Sequence, residues 1–251
     1  MINIVLPIAG RGTRFSEAGF GLPKPLIPVH GKPMIEVVVK NIRPVCKHRF
    51  IFVALKEHLD FLGMRETLER IAPGCIIVPV NEVTEGAACT VLLAREFIDN
   101  DAQLMIANSD QWIDININDY LSLMDDLDVD GLIMTMWADD PKWSFVGFNE
   151  DGHVSTVVEK EVISNDATVG IYNFRRGREF VRGAEQMIAK DLRVNGEFYV
   201  APAYNELIAS GHRICAYNIG REGAGMYGLG IPDDLEVFLN HPLSRSAAGL
   251  L

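Results

Sequence analysis

Short apolar runs without polar alternation, separated by stretches of helical period, constrain this chain most. Ile2–Ile8, Phe50–Leu55, Cys75–Val80 and Leu104–Asn108 are such runs. A strand apolar on both faces must be covered on both, and crossover helices between parallel neighbours supply that cover. Helices are predicted from Pro33, at the first helical position, to about Ile42 before Pro44, over His58–Ile71 closed by Pro73-Gly74, and over Gly86–Ile98. After Leu132–Trp137 the texture changes. Phe145–Phe148 and Val154–Val158 flank Asn149-Glu150-Asp151-Gly152, a hairpin signal, and Ala167–Phe174 follows as a strand. Helices near Glu179–Lys190 and Pro202–Ala209, a strand Arg213–Ile219 and a helix after Pro232 complete the chain. The expected fold is α/β: a mixed, mostly parallel sheet flanked by helices, with an antiparallel extension. No repeat, low-complexity tract or linker interrupts it, so residues 1–251 read as a single domain.

The 48% hydrophobic share against 23% charged supplies ample core and argues against disorder. A net charge of −11 lacks the basic face of a nucleic-acid binder. The longest apolar stretches, Ile4–Ala9 and Gly131–Ala138, fall far short of the ~20 residues of a membrane helix. Met1-Ile2-Asn3-Ile4 has neither a basic n-region nor a cleavage pattern, so a cytoplasmic protein without membrane or nucleic-acid partners is expected. The four cysteines have no CxxC spacing and the six histidines no HxH or HExxH, which argues against structural zinc. Charge is unevenly spread. Residues 1–32 hold Arg11, Arg14, Lys24 and Lys32 against Glu17 alone, whereas 96–141 hold twelve Asp/Glu and no Lys or Arg, read as a solvated acidic face around Asp125-Asp126-Leu127-Asp128.

The basic segment contains Gly10-Arg11-Gly12-Thr13-Arg14-Phe15, directly after the first strand, where α/β proteins bind ligands. It begins like the dinucleotide G-x-G-x-x-G, but the sixth position is Phe15. A dinucleotide loop must also open into a sustained helix, and Pro23, Pro25 and Pro28 forbid one. A Walker loop fails too, since Gly31-Lys32 precedes Pro33 and Leu26 stands where its first Gly would fall. The loop can present backbone N–H groups to phosphates, with Arg11 or Arg14 and Lys24 adding charge.

Leu6-Pro7-Ile8-Ala9-Gly10-Arg11-Gly12-Thr13-Arg14-Phe15, then Pro23-Lys24-Pro25-Leu26-Ile27-Pro28-Val29, then Gly31-Lys32-Pro33-Met34-Ile35 resembles the signature of the sugar-nucleotidyltransferases (nucleoside-diphosphate-sugar pyrophosphorylases). The resemblance extends with decreasing clarity through Asp110, Glu159-Lys160 and Gly230-Ile231-Pro232-Asp233-Asp234-Leu235. It implies a GT-A-like, Rossmann-like fold and transfer of a nucleotidyl group from an NTP to a sugar 1-phosphate, releasing pyrophosphate. It places Ala9, Gly10, Gly12 and Thr13 on the nucleotide and makes Arg14 and Lys24 the catalytic cations. Charge suits the reaction, because two phosphate anions must be brought together in line. A Lys between two prolines is expected on stiff extended backbone.

The base-recognition block of the family corresponds to Asn81 through Ala88, with Asn81, Glu85 and Gly86 as candidate nucleotide contacts. Helix capping by Thr84 or Glu85 explains the same segment equally well. Asp110 falls where the family places a ligand for Mg²⁺, a hard cation that takes carboxylate and phosphate oxygens. The D-x-D triplets Asp99–Asp101 and Asp128–Asp130 read as polar turns. Gly147, Glu159, Lys160, Gly170 and Glu197 resemble acceptor-sugar positions; taken singly, each is explained as well by a turn or a surface ion pair.

Two departures stand out. Lys160 is followed by Glu161 where the family often has Pro, and Gly228 occupies the place of a second metal-binding Asp. The fewer-carboxylate reading follows, with Asp110 and triphosphate oxygens carrying Mg²⁺ and the helix dipole accounting for Asp233 and Asp234. No left-handed β-helix is expected after the last helix. The main functional expectation is an NDP-sugar synthase serving glycan or polysaccharide biosynthesis, acting on an NTP and a phosphorylated sugar, with a homo-oligomer left open. The alternatives are a cytidylyltransferase using a non-sugar phosphate acceptor and a non-catalytic nucleotide-sugar-binding homologue. A glycosyltransferase would have no use for the Pro-Lys-Pro block.

Overall fold

Residues 1–60 and 63–250 are described by the computed structural model. The first half runs β1 (Ile2–Ile8), α1 (Thr13–Glu17), a 3-10 turn (Lys24–Leu26), β2 (Pro28–Val29), β3 (Lys32–Pro33), α2 (Met34–Asn41), β4 (His48–Leu55), α3 (Lys56–Leu59), α4 (Met64–Ile71), β5 (Ile76–Val80), α5 (Ala87–Leu92), α6 (Arg95–Ile98) and β6 (Gln103–Ala107). The second half continues through β7 (Gln111–Ile113), α7 (Ile117–Asp126), β8 (Gly131–Trp137), β9 (Ser144–Phe148), β10 (Val154–Glu159), β11 (Asp166–Phe174), α8 (Gly177–Ala189), α9 (Ala203–Ala209), β12 (Ile214–Glu222), β13 (Gly225–Gly228), α10 (Pro232–Asn240) and α11 (Leu243–Ala247).

The main sheet has the order β5-β4-β1-β6-β11-β8-β12-β13-β7, and β9 branches from β11 with β10 outside it. Its first four strands are parallel, as their unalternating apolar runs require. β11 then enters antiparallel to both β6 and β8, so the site side of the sheet is mixed. Along β1, Ile2, Ile4, Leu6 and Ile8 face one core with Met34, Val38 and Leu68. Val5 faces the other core with Ala88, Val91 and Phe180. This two-sided burial makes β1 a rigid platform, and the Gly-rich loop leaves from its carboxyl end.

Several local expectations shift. α2 begins at Met34, because Pro33 is taken into the short β2–β3 pair. The predicted helix Gly86–Ile98 divides into α5 and α6 around Leu93-Ala94. The predicted helix His58–Ile71 crosses residues 61 and 62, which lie outside the described residues; α3 and α4 flank them. The acidic stretch contains α7, whose Ile117, Tyr120 and Met124 face the core, and its Asn116 cap accepts the Asn118 N–H. Part of its acidity is neutralised: Arg175 reaches Asp125 at 3.2 Å, and Arg213 reaches Asp128 at 2.9 Å.

Three strands end the sheet, and each edge is modified. β5 carries Pro79, which removes a donor. Along β7, the Asn41 side chain donates to the Ile113 carbonyl and accepts the Ile113 N–H, both at 2.8 Å. Along β10, Asn205 makes the same pair of bonds with Val157, again both at 2.8 Å.

Candidate active site

The Gly-rich loop passes from β1 through Ala9 and Gly10 into α1, which lasts five residues before the proline-rich stretch. Lys24 opens the 3-10 turn after the extended Pro23, so the expectation of an extended backbone at the lysine is corrected. The turn closes through the Leu26 and Ile27 N–H groups. Gly12 lies so close that a Cβ on it would stand 3.0 Å from the Lys24 Cβ. The absence of that side chain lets the two segments touch and aims Lys24 across the loop. Its Nζ donates to Asp110 Oδ2 at 2.8 Å. Asp110 lies between β6 and β7, where the expected single strand has ended and a three-residue one begins. Its carbonyl accepts the Leu229 N–H at 2.8 Å, which ties it to the end of β13.

A cavity of about 200 Å³ joins Ala9 and Gly10 to Thr84, Gly86 and Ala87. Gly86 is held at φ +131° with its Cα against residue 198, and a Cβ there would meet the Phe198 nitrogen at 2.6 Å. Phe198 N–H donates to the Glu85 carbonyl at 2.8 Å, and Ala88 N–H donates to the Phe198 carbonyl at 3.0 Å. Only glycine allows this backbone clamp at that φ. Thr84 does not cap α5; its hydroxyl donates to the Gly86 carbonyl at 2.9 Å. Asn81 is exposed and does not line the cavity, and Glu85 points to Arg193 at 3.3 Å. Glu197, expected on the acceptor side, lines this first cavity, and its charge also acts on Glu159, Lys160 and Tyr199 of the second.

A second cavity of about 280 Å³ gathers Arg14, Lys142, Glu159, Lys160 and Gly170. Gly170 sits at φ +79°, at the register shift where β11 leaves β8, and a Cβ there would meet Asn108 Cγ at 2.7 Å and Gln111 Oε1 at 2.9 Å. Glu159 is 8% exposed and accepts a hydrogen bond from the Ser144 hydroxyl, its cross-strand partner. Burial pushes its carboxyl up, the Ser144 bond and Lys160 pull it down, and Glu197 adds a push upward. Lys160 Nζ donates to Tyr199 Oη at 2.8 Å, and Lys142 Nζ stands 4.9 Å from the centre of the Trp143 ring. Gly147 does not line this cavity; its Cα packs on Thr156 in the hairpin.

The sequence reading missed Asn108, Lys142, Trp143 and Tyr199. The only signals for them were Trp143 beside the hairpin and Tyr199 two residues past Glu197. Asp234, also set aside, approaches Gly228: its Oδ2 lies 3.0 Å from where a Cβ on Gly228 would stand. Its carboxyl is raised by burial and by Glu222, Asp233 and Asp110, against Lys142.

Cations, a backbone-lined cleft and the half-buried Asp110 carboxylate thus meet beyond the carboxyl ends of β1 and β6. A sequence profile described as nucleotidyl transferase matches residues 3–188. The chain belongs to the nucleotidyl transferase family. Among curated nucleotidyl transferase relatives, the bifunctional protein GlmU of Methanococcus maripaludis (strain DSM 14266) is 24% identical over 84% of this chain and 48% of its own length. The mannose-1-phosphate guanylyltransferase catalytic subunit beta of Danio rerio is 27% identical over 69% of this chain and 49% of its own. The chain spans about half the length of these relatives. In structure, the nucleoside-diphosphate-sugar pyrophosphorylase of Vibrio cholerae RC9 superposes with a TM-score of 0.79 at 25% identity, covering 96% of this chain and all of that one. A UDP-glucose pyrophosphorylase complexed with UDP-glucose superposes at 0.75 with 18% identity over 99% of both chains, a likeness of fold. The α/β architecture expected of this family is therefore present. No described helix is long and apolar enough to cross a membrane.

Proposed function

We propose that this nucleotidyl transferase joins an NTP to a sugar 1-phosphate, giving an NDP-sugar and pyrophosphate for glycan biosynthesis, as a Mg²⁺-dependent cytoplasmic enzyme. The observation that carries the reading is the adjacency of the two cavities, which share Ala87 as a lining residue. Ala9 and Gly10 line the first, Arg14 lines the second, and Lys24 and Asp110 form an ion pair beside the same loop. Both halves rest on one continuous sheet, which supports residues 1–251 acting as one unit.

In this reading an acceptor phosphate oxygen attacks the α-phosphorus, the bond from that phosphorus to the bridging oxygen breaks, and pyrophosphate leaves. Backbone N–H groups of the Gly-rich loop hold the triphosphate. Arg14 and Lys24 bring the two anions together and meet the charge that spreads over the transferring group. Glu159 accepts an acceptor hydroxyl, and Lys160 meets its phosphate. Asp110 would hold the ion, since its carboxylate oxygens are the hard donors Mg²⁺ takes. When bound, the ion supplies charge neutralisation at the reacting phosphate oxygens.

Pyrophosphate release should be assayed over a panel of four NTPs against sugar 1-phosphates and non-sugar phosphates. The proposal expects release with a sugar 1-phosphate and EDTA-sensitive turnover. Release only with a non-sugar phosphate would reassign the acceptor, and no release with any pair would remove the enzymatic reading.

A further inference from the structure

Gln111 is a polar side chain for which the fold itself has no use. It opens β7 opposite Gly228, one residue after Asp110, and is 7% exposed. Its carboxamide nitrogen is buried and, among the described residues, has no hydrogen-bond partner. A buried donor without a partner destabilises a fold, so a chain that keeps one has another reason for it. The carboxamide lies against Gly170. Its Oε1 is 2.9 Å from where a Cβ on Gly170 would stand, and Asn108 Nδ2 is closer still. The φ of +79° explains the glycine, but not why two side-chain amides converge on it. Gly170 and Asn108 both line the second cavity. The Asn108 N–H donates to the Gly170 carbonyl at 2.9 Å, so backbone holds the two segments together. The side chain absent at 170 therefore leaves a gap in the cavity wall, with one amide donor and one amide acceptor nearest to it.

Asn108 Nδ2 and Gln111 Oε1 form a neutral pair that offers one donor and one acceptor. Its complement is a group that gives and takes a hydrogen bond at a single atom, which is a hydroxyl. A carboxylate only accepts and an ammonium only donates, so either would leave one amide unanswered. We infer that Gln111, with Asn108 beside it, is a specificity residue that reads a neutral hydroxyl of the acceptor across the gap at Gly170. The inference rests on the reading of the second cavity as the acceptor site. Discrimination follows from the same geometry. When the hydroxyl is missing, the amides stay unpaired, so a site of this kind rejects a deoxy acceptor far more strongly than an apolar wall rejects an added methylene.

The test is pyrophosphate release by the full chain with sugar 1-phosphates, glucose 1-phosphate and mannose 1-phosphate first, each beside its monodeoxy forms. In the wild type, one monodeoxy form should lose kcat/KM by about 10-fold or more, the cost of leaving a buried polar group unpaired. Gln111→Met keeps the length of the side chain and removes both polar atoms. It should raise the KM for the parent sugar phosphate by a similar factor, abolish the preference over that deoxy form and leave the KM for NTP unchanged. Without ligand, Gln111→Met should be at least as stable to urea as the wild type, because the unliganded fold loses no hydrogen bond. A stability loss with the preference for the hydroxyl intact would assign Gln111 to the fold and overturn the inference. An intact preference at wild-type stability would overturn it as well. If Gln111→Met does not fold, Asn108→Ala decides: it removes the donor half and should lose the same discrimination, and full discrimination there would overturn the inference. No release by the wild type with any sugar 1-phosphate would instead remove the parent reading, and this inference with it.

Discussion

On the side proposed for the nucleotide, Ala9, Gly10, Gly12, Arg14 and Lys24 come from one run of sixteen residues, 9 to 24, shaped by backbone turns and close approaches. On the side proposed for the acceptor, Lys142, Glu159, Gly170 and Tyr199 come from four separate segments and meet Arg14 of the first run; side-chain hydrogen bonds such as Ser144–Glu159 and Lys160–Tyr199 hold them. The backbone turns and the ion pair with Asp110 fix the Lys24 charge in place, which suits a chemistry common to many acceptors. A pocket assembled from side chains can change its substrate through single replacements without disturbing the phosphate loop.

If the first region is preorganised for the transition state, removing one of its cations should cost most. Lys24→Ala and Arg14→Ala should each lower kcat by on the order of 10²–10³ at saturating substrate, comparable to losing a preorganised donor at a developing charge. Steady-state turnover checks this, and near-wild-type kcat in both would show that the phosphate loop is only an anion attractor.

The backbone clamp at Gly86 tests rigidity separately from charge. Gly86→Ala forces a Cβ into the Phe198 backbone at φ +131°, so its stability should fall by about 1–3 kcal/mol. Gly10→Ala meets nothing within 4 Å and should lose far less in the same denaturant titration. Equal losses would erase the distinction between close-approach and open glycines in this loop system.

On the acceptor side, Lys160→Ala should raise the acceptor KM about 10-fold, the scale of a charge-assisted hydrogen bond, and leave NTP affinity unchanged. Glu197 sharpens the comparison, because it lines the cavity proposed for the nucleotide. Glu197→Gln should change the KM for NTP more than that for the acceptor, and the reverse split would return Glu197 to the acceptor.

The smallest expected effect is a pH dependence of stability. Burial raises the Glu159 carboxyl above the ordinary 4.5, so the folded chain holds this proton more tightly than the unfolded one. Its contribution to stability is therefore complete below the ordinary value and is lost as pH rises through the folded value. Glu159→Gln should lose less stability between about pH 4 and about pH 7 than the wild type does. Parallel urea midpoints across that range would refute the burial argument.

How much of this was legible in the sequence differs between the two regions for the same reason. β1, β4 and β6 were visible as apolar runs because both their faces are buried, and β5, half-buried at the sheet margin, because Ile76–Val80 holds no polar side chain. The glycine and proline blocks were visible because their chemistry is local. β7 and β13, of three and four residues, carry too little pattern to read, yet their pairing brings Gly228 opposite Gln111 and so beside Asp110. α7 was hidden because its acidic outer face outweighed the three core residues inside it. The meeting of Lys142 with Lys160 and Tyr199, and of Asp234 with Gly228, is made by topology, and no window along the chain contains it.

The asparagine pairs at Ile113 and Val157 have a consequence for how this molecule behaves in a crowded solution. Each side-chain amide presents one donor and one acceptor in the manner of a one-residue strand, so Ile113 and Val157, one residue on each margin, already have both backbone groups satisfied. An unprotected edge recruits strands from other chains and seeds aggregation. Here two of the three margins are stopped by a side chain held on a helix, and the third is blunted by a proline. A sheet of this width can thus remain open, with its site on one side, without becoming a template for copies of itself.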